Sequence, residues 1–544
     1  MTETPGAGYR TDRPGHAERA AQAYARGLWV PTTLADALAE AARTTPDRTV
    51  LVDGAVRLDC RSLHARATAL AGALLRRIPA GAVVSFMLPN WHEAAVIYLG
   101  ATLAGMVVNP ILPSLRDREL RFILDDADSR MIFIPETFGN HDYAAMLDRV
   151  TAELPNPPQV VVVRGAVRPD RVGYDALLAG PVDRPVLPAL DPDAVRMILY
   201  TSGTTGRPKG VLHSHNSIHA LIHQLREHWL IDPGDTFLVP SPIAHIGGSI
   251  YAFECPLLAG TTAVLMDRWR PDEAVRLMRA EHCTHMAGAT PFLDGLLTAA
   301  RQAGTRLPDL KVFICGGASV SPSLIRSAAD YFERAVVTRV YGSTEVPVTT
   351  VGVLGPADAD RAAETDGRPG IAEVRLADHA AAPPGAGEVL ARGPQMLVGY
   401  LHPEDERDAF DADGFFRTGD LARWVDRDHL VITGRAKDII IRNGENISPK
   451  EVEDLLIGHP GVAEIAVVGV PDPRTGERAC AAIVPTGRPG PDVAELREFL
   501  LARGVAKFKA PEQVVFFDAL PKNDAGKVLK HQIQATLTAA EVSG

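Results

Sequence analysis

The sequence predicts an α/β fold, with a large N-terminal domain of helix-covered, mostly parallel sheets and a smaller α+β domain at the C-terminus. The chain has 544 residues, which is too long for a single hydrophobic core. Short apolar runs alternate with helical segments over most of this length, and such alternation is typical of parallel sheets covered by helices. The pattern restarts on a smaller scale after Gly434, so we expect domains at 1–436 and 437–544.

The elements of the large domain follow from their apolar periods and from the residues that begin them. Thr33 precedes a run rich in alanine and leucine, which predicts a helix capped by the threonine hydroxyl. Strands are predicted where apolar and β-branched residues stand together between turn residues. In chain order, the further predictions are strands at 83–88, 160–163, 197–200, 261–266 and 311–315, and helices at 91–103 and 271–280.

The small domain begins with a helix that Ser448 caps and that has Pro449 in its first turn. Strands and helices follow it on a smaller scale than in the large domain and make a small α+β domain. The predictions are strands at 462–470, 479–484 and 512–517, and a helix at 493–502.

Composition and charge narrow the classes of partner. The chain is 46% hydrophobic and 23% charged, as in ordinary globular proteins. Its net charge of −11 argues against a nucleic acid or an anionic membrane as partner. The five cysteines form no C-x-x-C pair, which fits reduced thiols. The N-terminus shows no secretory pattern and the apolar run at 94–108 is too short to span a bilayer, so we expect a cytoplasmic protein.

The most informative segment is YTSGTTGRPKG at 200–210, directly after an apolar run. Its glycines let backbone N–H groups surround an anion, its hydroxyls add donors, and its lysine adds a positive charge. It is not a Walker A loop, because Pro208 precedes the lysine and Gly210 follows it. A polar surface turn is the alternative, but a turn needs only two or three such residues. The predicted phosphate-binding residues are Thr201, Ser202, Gly203, Thr204, Thr205, Gly206 and Lys209.

This loop resembles the phosphate loop of the acyl-adenylate-forming enzymes, which include acyl- and aryl-CoA ligases, luciferases and the adenylation domains of peptide synthetases. Further segments resemble the other motifs of that family, in the family's order, so the resemblance covers nearly the whole chain. They are VYGSTE at 340–345, FRTGD at 416–420, GRAKD at 434–438 and PKNDAGK at 521–527. The resemblance implies that the loop binds the β- and γ-phosphates of ATP and that the C-terminal domain is a mobile lid.

The motif at 340–345 implies nucleotide and metal contacts. By the resemblance, Tyr341 stacks near the adenine, Thr344 contacts the α-phosphate and the acid, and Glu345 ligates Mg²⁺, with Thr204 as a second metal residue. Carboxylate oxygen is the ligand that a hard cation prefers. Taken alone, Thr344 and Glu345 also fit the acidic start of a helix. The resemblance adds further residues to the nucleotide site: Gly317, Ala318, Gly342 and Ser343.

The later motifs imply the ribose contact, the hinge and the catalytic lysine. Asp420 would accept both ribose hydroxyls, since the two oxygens of a carboxylate suit a vicinal diol. Arg435 would reach the ribose and phosphate, and Lys437 would stand at the hinge. Lys527 would bridge the carboxylate and the α-phosphate. Gly444 would line the pantetheine tunnel, and a turn glycine in a hairpin is its alternative interpretation.

The acid pocket is less well defined by the sequence. The resemblance places His245 at a gate near the carboxylate, although a structural histidine is also possible there. Relatives that activate hydroxybenzoates often have asparagine after this histidine, and Ile246 departs from that pattern. The pocket would then be apolar, with small walls at Gly247, Gly248, Gly317 and Gly342. Such walls favour a bulky aromatic or alicyclic acid, as in the cyclohexanecarboxylate- and aryl-CoA ligases that this region resembles, some of which serve natural-product biosynthesis. The further predicted pocket residues are Gly247, Gly248, Val346 and Val348.

The expected reaction has two steps. ATP and Mg²⁺ convert the acid to an acyl-adenylate with release of pyrophosphate, and coenzyme A then displaces AMP. Catalysis of the first step is positioning and charge neutralisation, so no side-chain nucleophile is expected. Two alternatives remain open: a stand-alone enzyme that loads an aryl acid onto a carrier protein, and a medium-chain fatty acyl-CoA ligase.

Overall fold

The computed structural model describes most of the chain, namely residues 16–169, 171–179, 185–202, 207–317, 320–355, 358–380, 382, 385–442, 445–472, 475–487, 489–503, 505, 507–523 and 526–542. Within these ranges, each helix is too short or too polar to cross a membrane.

The helices and strands of the described residues fall in three parts of the chain. The first part ends near residue 370, the second runs from there to residue 435, and the third contains the remaining residues. The α-helices are α1 His16–Ala25, α2 Leu34–Thr44, α3 Cys60–Leu75, α4 His92–Leu103, α5 Asp117–Asp126, α6 Tyr143–Ala152, α7 Tyr174–Leu178, α8 His215–His228, α9 Ile246–Ser249, α10 Cys255–Leu258, α11 Pro271–Ala280, α12 Thr290–Gln302, α13 Pro322–Tyr331, α14 Ala359–Glu364, α15 Pro449–Leu456, α16 Val493–Leu501 and α17 Lys530–Val542. The strands are β1 Thr49–Asp53, β2 Val56–Asp59, β3 Val83–Phe86, β4 Val107–Pro110, β5 Ser129–Pro135, β6 Thr137–Phe138, β7 His141–Asp142, β8 Gln159–Val163, β9 Val172–Gly173, β10 Val195–Ser202, β11 Pro208–Ser214, β12 Thr236–Val239, β13 Thr262–Leu265, β14 His285–Gly288, β15 Val312–Cys315, β16 Val336–Arg339, β17 Glu373–Ala377, β18 Ala386–Arg392, β19 Gly399–Tyr400, β20 Phe416–Val425, β21 His429–Arg435, β22 Ile440–Arg442, β23 Glu445–Ile447, β24 Val462–Asp472, β25 Gly476–Pro485 and β26 Gln513–Phe516. A π-helical turn spans Ile250–Glu254, and 3₁₀ turns span Pro403–Glu406, Ala436–Asp438 and Lys507–Lys509.

Most strands of the first part of the chain form two large sheets, and β19 from the second part joins one of them. Among the described strands, one sheet has seven in the order β16-β15-β14-β12-β13-β1-β2, and its pairs are parallel apart from β1–β2. The other has eight in the order β19-β11-β10-β4-β3-β5-β8-β9, where only β10–β11 and β11–β19 are antiparallel. The predicted class, an α/β fold with mostly parallel sheets and a smaller C-terminal domain, is therefore confirmed.

Helix α4 shows why the two sheets stay together. Every residue of this helix except His92 is buried, as expected of a helix that is apolar on all faces. It contacts β1 of the seven-stranded sheet and β3 and β4 of the eight-stranded sheet. Sequence reasoning predicted this helix at 91–103, and Trp91 proves to be its N-cap.

A third sheet was not expected from the alternating pattern. It is antiparallel, with the order β17-β18-β20-β21 in the described part of the chain, and it carries the motif at 416–420. After the 3₁₀ turn Ala436–Asp438 the chain enters another sheet, ordered β23-β22-β25-β24 with β26 beside β25. Sheet membership thus changes between Arg435 and Ile440, and the boundary at 436/437 stays our prediction.

A buried ion pair joins the strand of the phosphate loop to the helix that follows His245. Arg196 on β10 and Glu254 in the π-helical turn are only 3% and 1% exposed, and their side chains bond to each other. Arg196 also donates to the hydroxyl of Tyr98 at 2.7 Å, and that hydroxyl donates to Glu254. Because each charge is compensated inside the protein, the pair can hold β10 against the π-helical turn.

Replacing one member of this pair tests how much the pair contributes to the stability of the fold. Glu254→Gln should lower the free energy of unfolding by about 3 kcal/mol, because Arg196 would keep a buried charge without its counterion. Urea unfolding followed by tryptophan fluorescence measures the change. The matched control is Glu40→Gln, since Glu40 pairs with Arg43 at an exposed site and should matter by less than about 1 kcal/mol. Equal losses in both variants would contradict the structural weight assigned to the buried pair.

Candidate active site

The phosphate loop is held between two paired strands. β10 and β11 are antiparallel, with Thr201 opposite Lys209 and Ser202 opposite Pro208. The two ends of the loop therefore meet, and its threonine and lysine lie on neighbouring strands. Four predicted residues at its centre lie outside the described residues: Gly203, Thr204, Thr205 and Gly206.

Lys209 lies beside residues from far along the chain. Its Nζ is 5.2 Å from the ring centre of Tyr400 and 3.4 Å from the carbonyl oxygen of Asp405. The hydroxyl of Tyr400 donates to Oε1 of Glu345 at 3.0 Å. Tyr400 thus separates the predicted phosphate lysine from the predicted metal carboxylate, and sequence reasoning did not identify it.

Glu345 has the chemistry that a magnesium site requires. Its side chain is partly exposed and offers a carboxylate, the ligand type that Mg²⁺ prefers. Its position is set from both sides, because its backbone carbonyl accepts the N–H of Leu397 at 2.7 Å and its carboxylate accepts the Tyr400 hydroxyl. The residue fits the ion that the resemblance implies.

A buried histidine fixes the backbone of Thr344. Nε2 of His213 lies 2.8 Å from the carbonyl oxygen of Thr344, and Nδ1 lies 3.2 Å from Oγ of Ser217. Burial lowers the pKa of His213 to about 4, so the ring is neutral near pH 7. Since a carbonyl only accepts, Nε2 carries the proton and donates it to Thr344. Sequence reasoning missed His213, because nothing in the pattern of β11 distinguishes it from a core residue.

Gly342 and Ser343, which precede Thr344 in the 340–345 motif, lie in a tight turn. Oγ of Ser343 accepts the N–H of Val346 at 3.1 Å. A Cβ on Gly342 would lie 2.5 Å from the backbone nitrogen of Val348, so this position excludes any side chain. Gly342 is therefore required by backbone contact, which corrects the expectation that it leaves open space for the acid.

Asp420 joins two other predicted nucleotide residues. Its Oδ2 accepts the hydroxyl of Tyr341 at 2.7 Å, and its Oδ1 accepts Nε of Arg435 at 2.7 Å. Asp420 lies opposite Arg435 in the β20–β21 register, and it is 5% exposed. Burial and the negative charge of Asp420 raise the pKa of Tyr341 well above its usual range, so the phenol stays a donor. The structure thus brings together residues from three motifs.

Lys527 reaches this group from the C-terminal domain. Its loop is closed by Asn523, whose Oδ1 accepts the N–H of Lys527 at 2.8 Å and whose N–H donates to the carbonyl of Lys527 at 2.9 Å. A Cβ on Gly526, where φ is +78°, would lie 2.8 Å from Pro291, so the loop packs against the large domain. Sequence reasoning did not single out Asn523.

The charge of Lys527 is perturbed by its position in the cleft between the domains. The side chain as a whole is exposed to solvent. Partial desolvation of its ammonium by surrounding protein atoms, followed by the nearby positive charge of Arg435, lowers its pKa, while Asp420 and Asp438 oppose that change. Lys437 is a further cation in this group and stays exposed in the 3₁₀ turn between the sheets. Lys527 is therefore within electrostatic reach of the Asp420–Arg435 pair.

The segment after His245 begins a helix that is interrupted by the π-helical turn. His245 is the N-cap of α9, and its carbonyl accepts the N–H of Gly248 at 2.9 Å. Ile246 is partly buried and packs against the main hydrophobic core. π-helical turns often occur at functional sites, which agrees with a role for this segment but does not define a ligand.

The predicted glycine walls prove to be of two kinds. A Cβ on Gly247 meets no atom within 4 Å, and Gly317, at φ +80°, is also open. A Cβ on Gly248 would lie 2.0 Å from the carbonyl oxygen of Pro242. Gly248 is thus needed for close approach of the backbone, and the expectation that it leaves room for the acid is corrected.

Two valines were predicted beside the acid. Val346 is 0% exposed and packs in a cluster with Val211, Met396 and Phe416, so its side chain has no surface to offer a ligand, which corrects that expectation. Val348 is partly buried, with φ at +46°, and its carbonyl accepts Nε2 of Gln224 at 2.9 Å. Its contact with the acid stays a prediction. Two further predicted residues, Ala318 and Gly444, lie outside the described residues.

Two other features of the described residues lie apart from this site. A cavity of about 640 Å³ is lined by α1, Trp29 and the third sheet, and it includes none of the predicted site residues. Ligand atoms of Asp53, His92 and Glu93 lie within 4.8 Å of one another. Arg164 donates to both carboxylates at 2.6 and 2.7 Å, so this cluster is an ion-pair network that carries its own cation.

Two protein-family models match most of this chain. The family described as AMP-binding enzyme matches residues 38–401, and the family described as AMP-binding enzyme C-terminal domain matches residues 451–527. The chain belongs to the AMP-binding enzyme family. The resemblance to acyl-adenylate-forming enzymes is thereby confirmed.

Individual relatives agree over nearly their full length. The medium-chain fatty-acid–CoA ligase of Escherichia coli (strain K12) is 34% identical, covering 93% of this chain and 90% of its own. The salicylyl-CoA synthase / salicylate adenylyltransferase of a Streptomyces species is 32% identical over 93% of this chain and 94% of its own. The crystal structure of ATP bound MatB from Rhodopseudomonas palustris has a TM-score of 0.78 and 28% identity, with coverage of 93% and 99%. The chain is thus an enzyme of a family whose members are AMP-forming acid–CoA ligases and acid-adenylating enzymes.

The two neighbouring glycines after Ile246 should respond oppositely to alanine. Gly248→Ala places a methyl against the backbone at Pro242 and should destabilise the protein by roughly 1–3 kcal/mol. Gly247→Ala meets open space and should leave stability within about 0.5 kcal/mol. Thermal unfolding of both variants measures the difference. A similar loss in both would mean that the close approach at Gly248 does not constrain the fold.

Proposed function

We propose that the protein is an ATP- and Mg²⁺-dependent ligase that adenylates a bulky aromatic or alicyclic carboxylic acid and then transfers the acyl group to coenzyme A. The observation that supports this most strongly is the cluster of Tyr341, Asp420 and Arg435, with Lys527 of the C-terminal domain within electrostatic reach of it. These residues come from four separate motifs of one family, and each has the chemistry that its motif requires.

In the first half-reaction, a carboxylate oxygen of the acid attacks the α-phosphorus of ATP and pyrophosphate leaves. Lys527 reaches the site with a positive charge and can neutralise the charge that develops between carboxylate and α-phosphate. Asp420 retains acceptor capacity for ribose hydroxyls, because each carboxylate oxygen can accept a second hydrogen bond. Bound Mg²⁺, held by Glu345, would neutralise charge on the leaving pyrophosphate. His213 keeps the Thr344 backbone in place throughout.

In the second half-reaction, the thiol of coenzyme A attacks the acyl carbonyl and AMP leaves. AMP is a far better leaving group than oxide, which is why the acid is adenylated first. No cysteine serves as nucleophile in this proposal, and the five cysteines are buried. Burial also raises the pKa of the Cys315 thiol to about 12, which suppresses its thiolate.

The choice of a cyclic acid rests on the segment after His245. Ile246 supplies apolar surface, and Gly247 faces open space, so this side of the pocket offers volume without a hydrogen-bonding group. The salicylate-activating relative supports a cyclic acid, and the E. coli relative supports the medium-chain fatty acid alternative. Loading of a carrier protein remains the alternative to coenzyme A in the second step.

A panel of carboxylic acids tests this function. AMP release is measured with benzoic, hydroxybenzoic, cyclohexanecarboxylic and medium-chain linear acids, each with and without coenzyme A. We expect AMP release with several cyclic acids, and we expect this release to depend on coenzyme A. Preference for linear acids would support the fatty acid alternative, and adenylate formation without turnover by coenzyme A would support a carrier protein.

Removing the lysine of the C-terminal domain should separate the half-reactions. Lys527→Ala should lower pyrophosphate exchange about 10²–10³-fold, the scale for one preorganised charge at a reacting centre. Thioester formation from pre-made acyl-adenylate should change far less, because the lid is expected to carry Lys527 away before that step. Equal losses in both half-reactions would contradict the assigned role.

The pH dependence of the first half-reaction should reflect the lowered pKa of Lys527. The ammonium is present below that pKa and is lost as pH rises through it, so kcat/KM for ATP should fall on the alkaline side at a pH below 10.5, the ordinary value for lysine. A pH profile of pyrophosphate exchange measures this limb. Thioester formation from pre-made adenylate is the control and should lack it. An alkaline limb common to both steps would assign the titration to another group.

A further inference from the structure

Arg207 and Lys209 lie close together at the C-terminal end of the phosphate loop, but they differ in how closely they contact carboxylates. Arg207 donates from Nη2 to Oδ1 of Asp405 at 2.8 Å, and its Nη1 lies 3.7 Å from Oδ1 of Asp126. Lys209 is 3.7 Å from the same Oδ1 of Asp405, beyond hydrogen-bond distance. The arginine therefore forms the hydrogen-bonded ion pair with the carboxylate, and the lysine forms only a longer ion pair with it.

Asp405 is a strong potential partner for any nearby cation. Its side chain is 8% exposed, and its Oδ2 lacks a hydrogen-bond partner among the described residues. A buried carboxylate is costly unless a cation compensates it. Arg207 supplies that positive charge here, so Asp405 is compensated without a hydrogen bond from Lys209.

Asp405 is also held in place by the fold. β19 pairs with β11, with Tyr400 opposite Val211, and the 3₁₀ turn Pro403–Glu406 follows directly. This turn therefore brings Asp405 next to the first residues of β11, where Lys209 lies. The pairing of β19 with β11 thus holds the main chain that carries Asp405 close to the strand that carries Lys209.

Asp126 makes the arrangement specific for arginine. It ends α5 and is fixed by the hydroxyl of Tyr200 at 2.8 Å and by Nε2 of His402 at 2.9 Å. A planar guanidinium can face two carboxylates at once with separate nitrogens, as Arg207 does with Asp126 and Asp405. An ammonium is a single point charge and would serve only one of them well.

The hold on Lys209 is weak by comparison. Its described contacts are one long hydrogen bond of 3.4 Å to the backbone carbonyl of Asp405, the face of the Tyr400 ring at 5.2 Å and the long ion pair of 3.7 Å with the Asp405 carboxylate. None of these contacts is a hydrogen bond to a negatively charged group. Lys209 thus keeps its charge available for an incoming anion.

We propose that Arg207 is a positioning residue that occupies Asp405 and thereby keeps Lys209 free to bind the phosphates of the nucleotide. This inference rests on the proposed function, in which the loop binds ATP. Without Arg207, the buried carboxylate of Asp405 captures Lys209 across the present 3.7 Å gap, and the lysine is lost to the nucleotide. Without both Arg207 and Asp405, Lys209 is available again.

Binding of a nucleotide analogue tests the inference without knowledge of the acid. Isothermal titration with α,β-methylene ATP and Mg²⁺ gives Kd for each variant, and thermal unfolding verifies that each is folded. Arg207→Gln should raise Kd about tenfold, since the captured Lys209 must be released before it can contact phosphate. The double variant Arg207→Gln, Asp405→Asn has the net charge of the natural protein and should return to within about threefold of its Kd.

The sign of the second substitution separates positioning from a merely structural role. If Arg207 and Asp405 only stabilised the loop, the double variant would bind as weakly as Arg207→Gln or more weakly, and the proposal would be overturned. Arg407→Gln is the matched control, because it removes the same charge from an exposed residue next to the 3₁₀ turn and should leave Kd unchanged. An equal loss in this control would assign the effect to bulk charge and would also overturn the proposal.

The single variant Asp405→Asn gives a second, independent test of the role of Arg207. If Arg207→Gln does not fold, Asp405→Asn alone serves, since it retains an acceptor for Arg207 and should bind the analogue at least as tightly as the natural protein. Weaker binding would refute the proposal. Normal binding of the analogue without adenylation of any acid would refute the proposed function and leave this inference intact. An active enzyme whose Kd for the analogue is identical in all variants would refute this inference and leave the proposed function intact.

Discussion

The buried carboxylate of Asp420 is the constraint on which the arrangement of the site depends. A charge that is 5% exposed must be compensated by donors, and the two donors come from different parts of the chain, Tyr341 of the loop after β16 and Arg435 at the end of β21. Satisfying one carboxylate therefore fixes the loop after β16 against the third sheet. Arg435 is also the last residue before the 3₁₀ turn Ala436–Asp438, which leads to the C-terminal sheet, and Lys527 lies within electrostatic reach of it.

Around this point the site is built from charges that the protein compensates internally. The chain as a whole carries a net charge of −11, yet Arg207 and Lys209 lie together beside Asp405, and Arg435, Lys437 and Lys527 lie within electrostatic reach of one another. Arg207 is balanced by Asp405, and Glu345 is held by the hydroxyl of Tyr400. Such pairing allows cations to be concentrated in one cleft without mutual repulsion, because each stays within reach of an acceptor that a nucleotide can replace or reinforce.

Glycine serves two different purposes in the site. At Gly248 and Gly342 another backbone segment comes so close that a Cβ would overlap it, and these residues determine how loops pack. At Gly247 and Gly317 nothing lies within 4 Å, and here the absent side chain leaves open volume. The composition of a glycine-rich segment cannot separate these cases, since the difference lies in what stands opposite each residue.

The sequence by itself determined the fold class, the order of the motifs and the family, because apolar period and short functional segments are local properties of the chain. The helix after Thr33 and the strand that leads into the phosphate loop follow from such local signals. Only the tertiary structure decided that His213 fixes Thr344, that Tyr400 separates Lys209 from Glu345, and that Val346 belongs to a core. These contacts join residues far apart in the chain, and a side chain's partner across such a distance depends on how sheets pack, which no local pattern records.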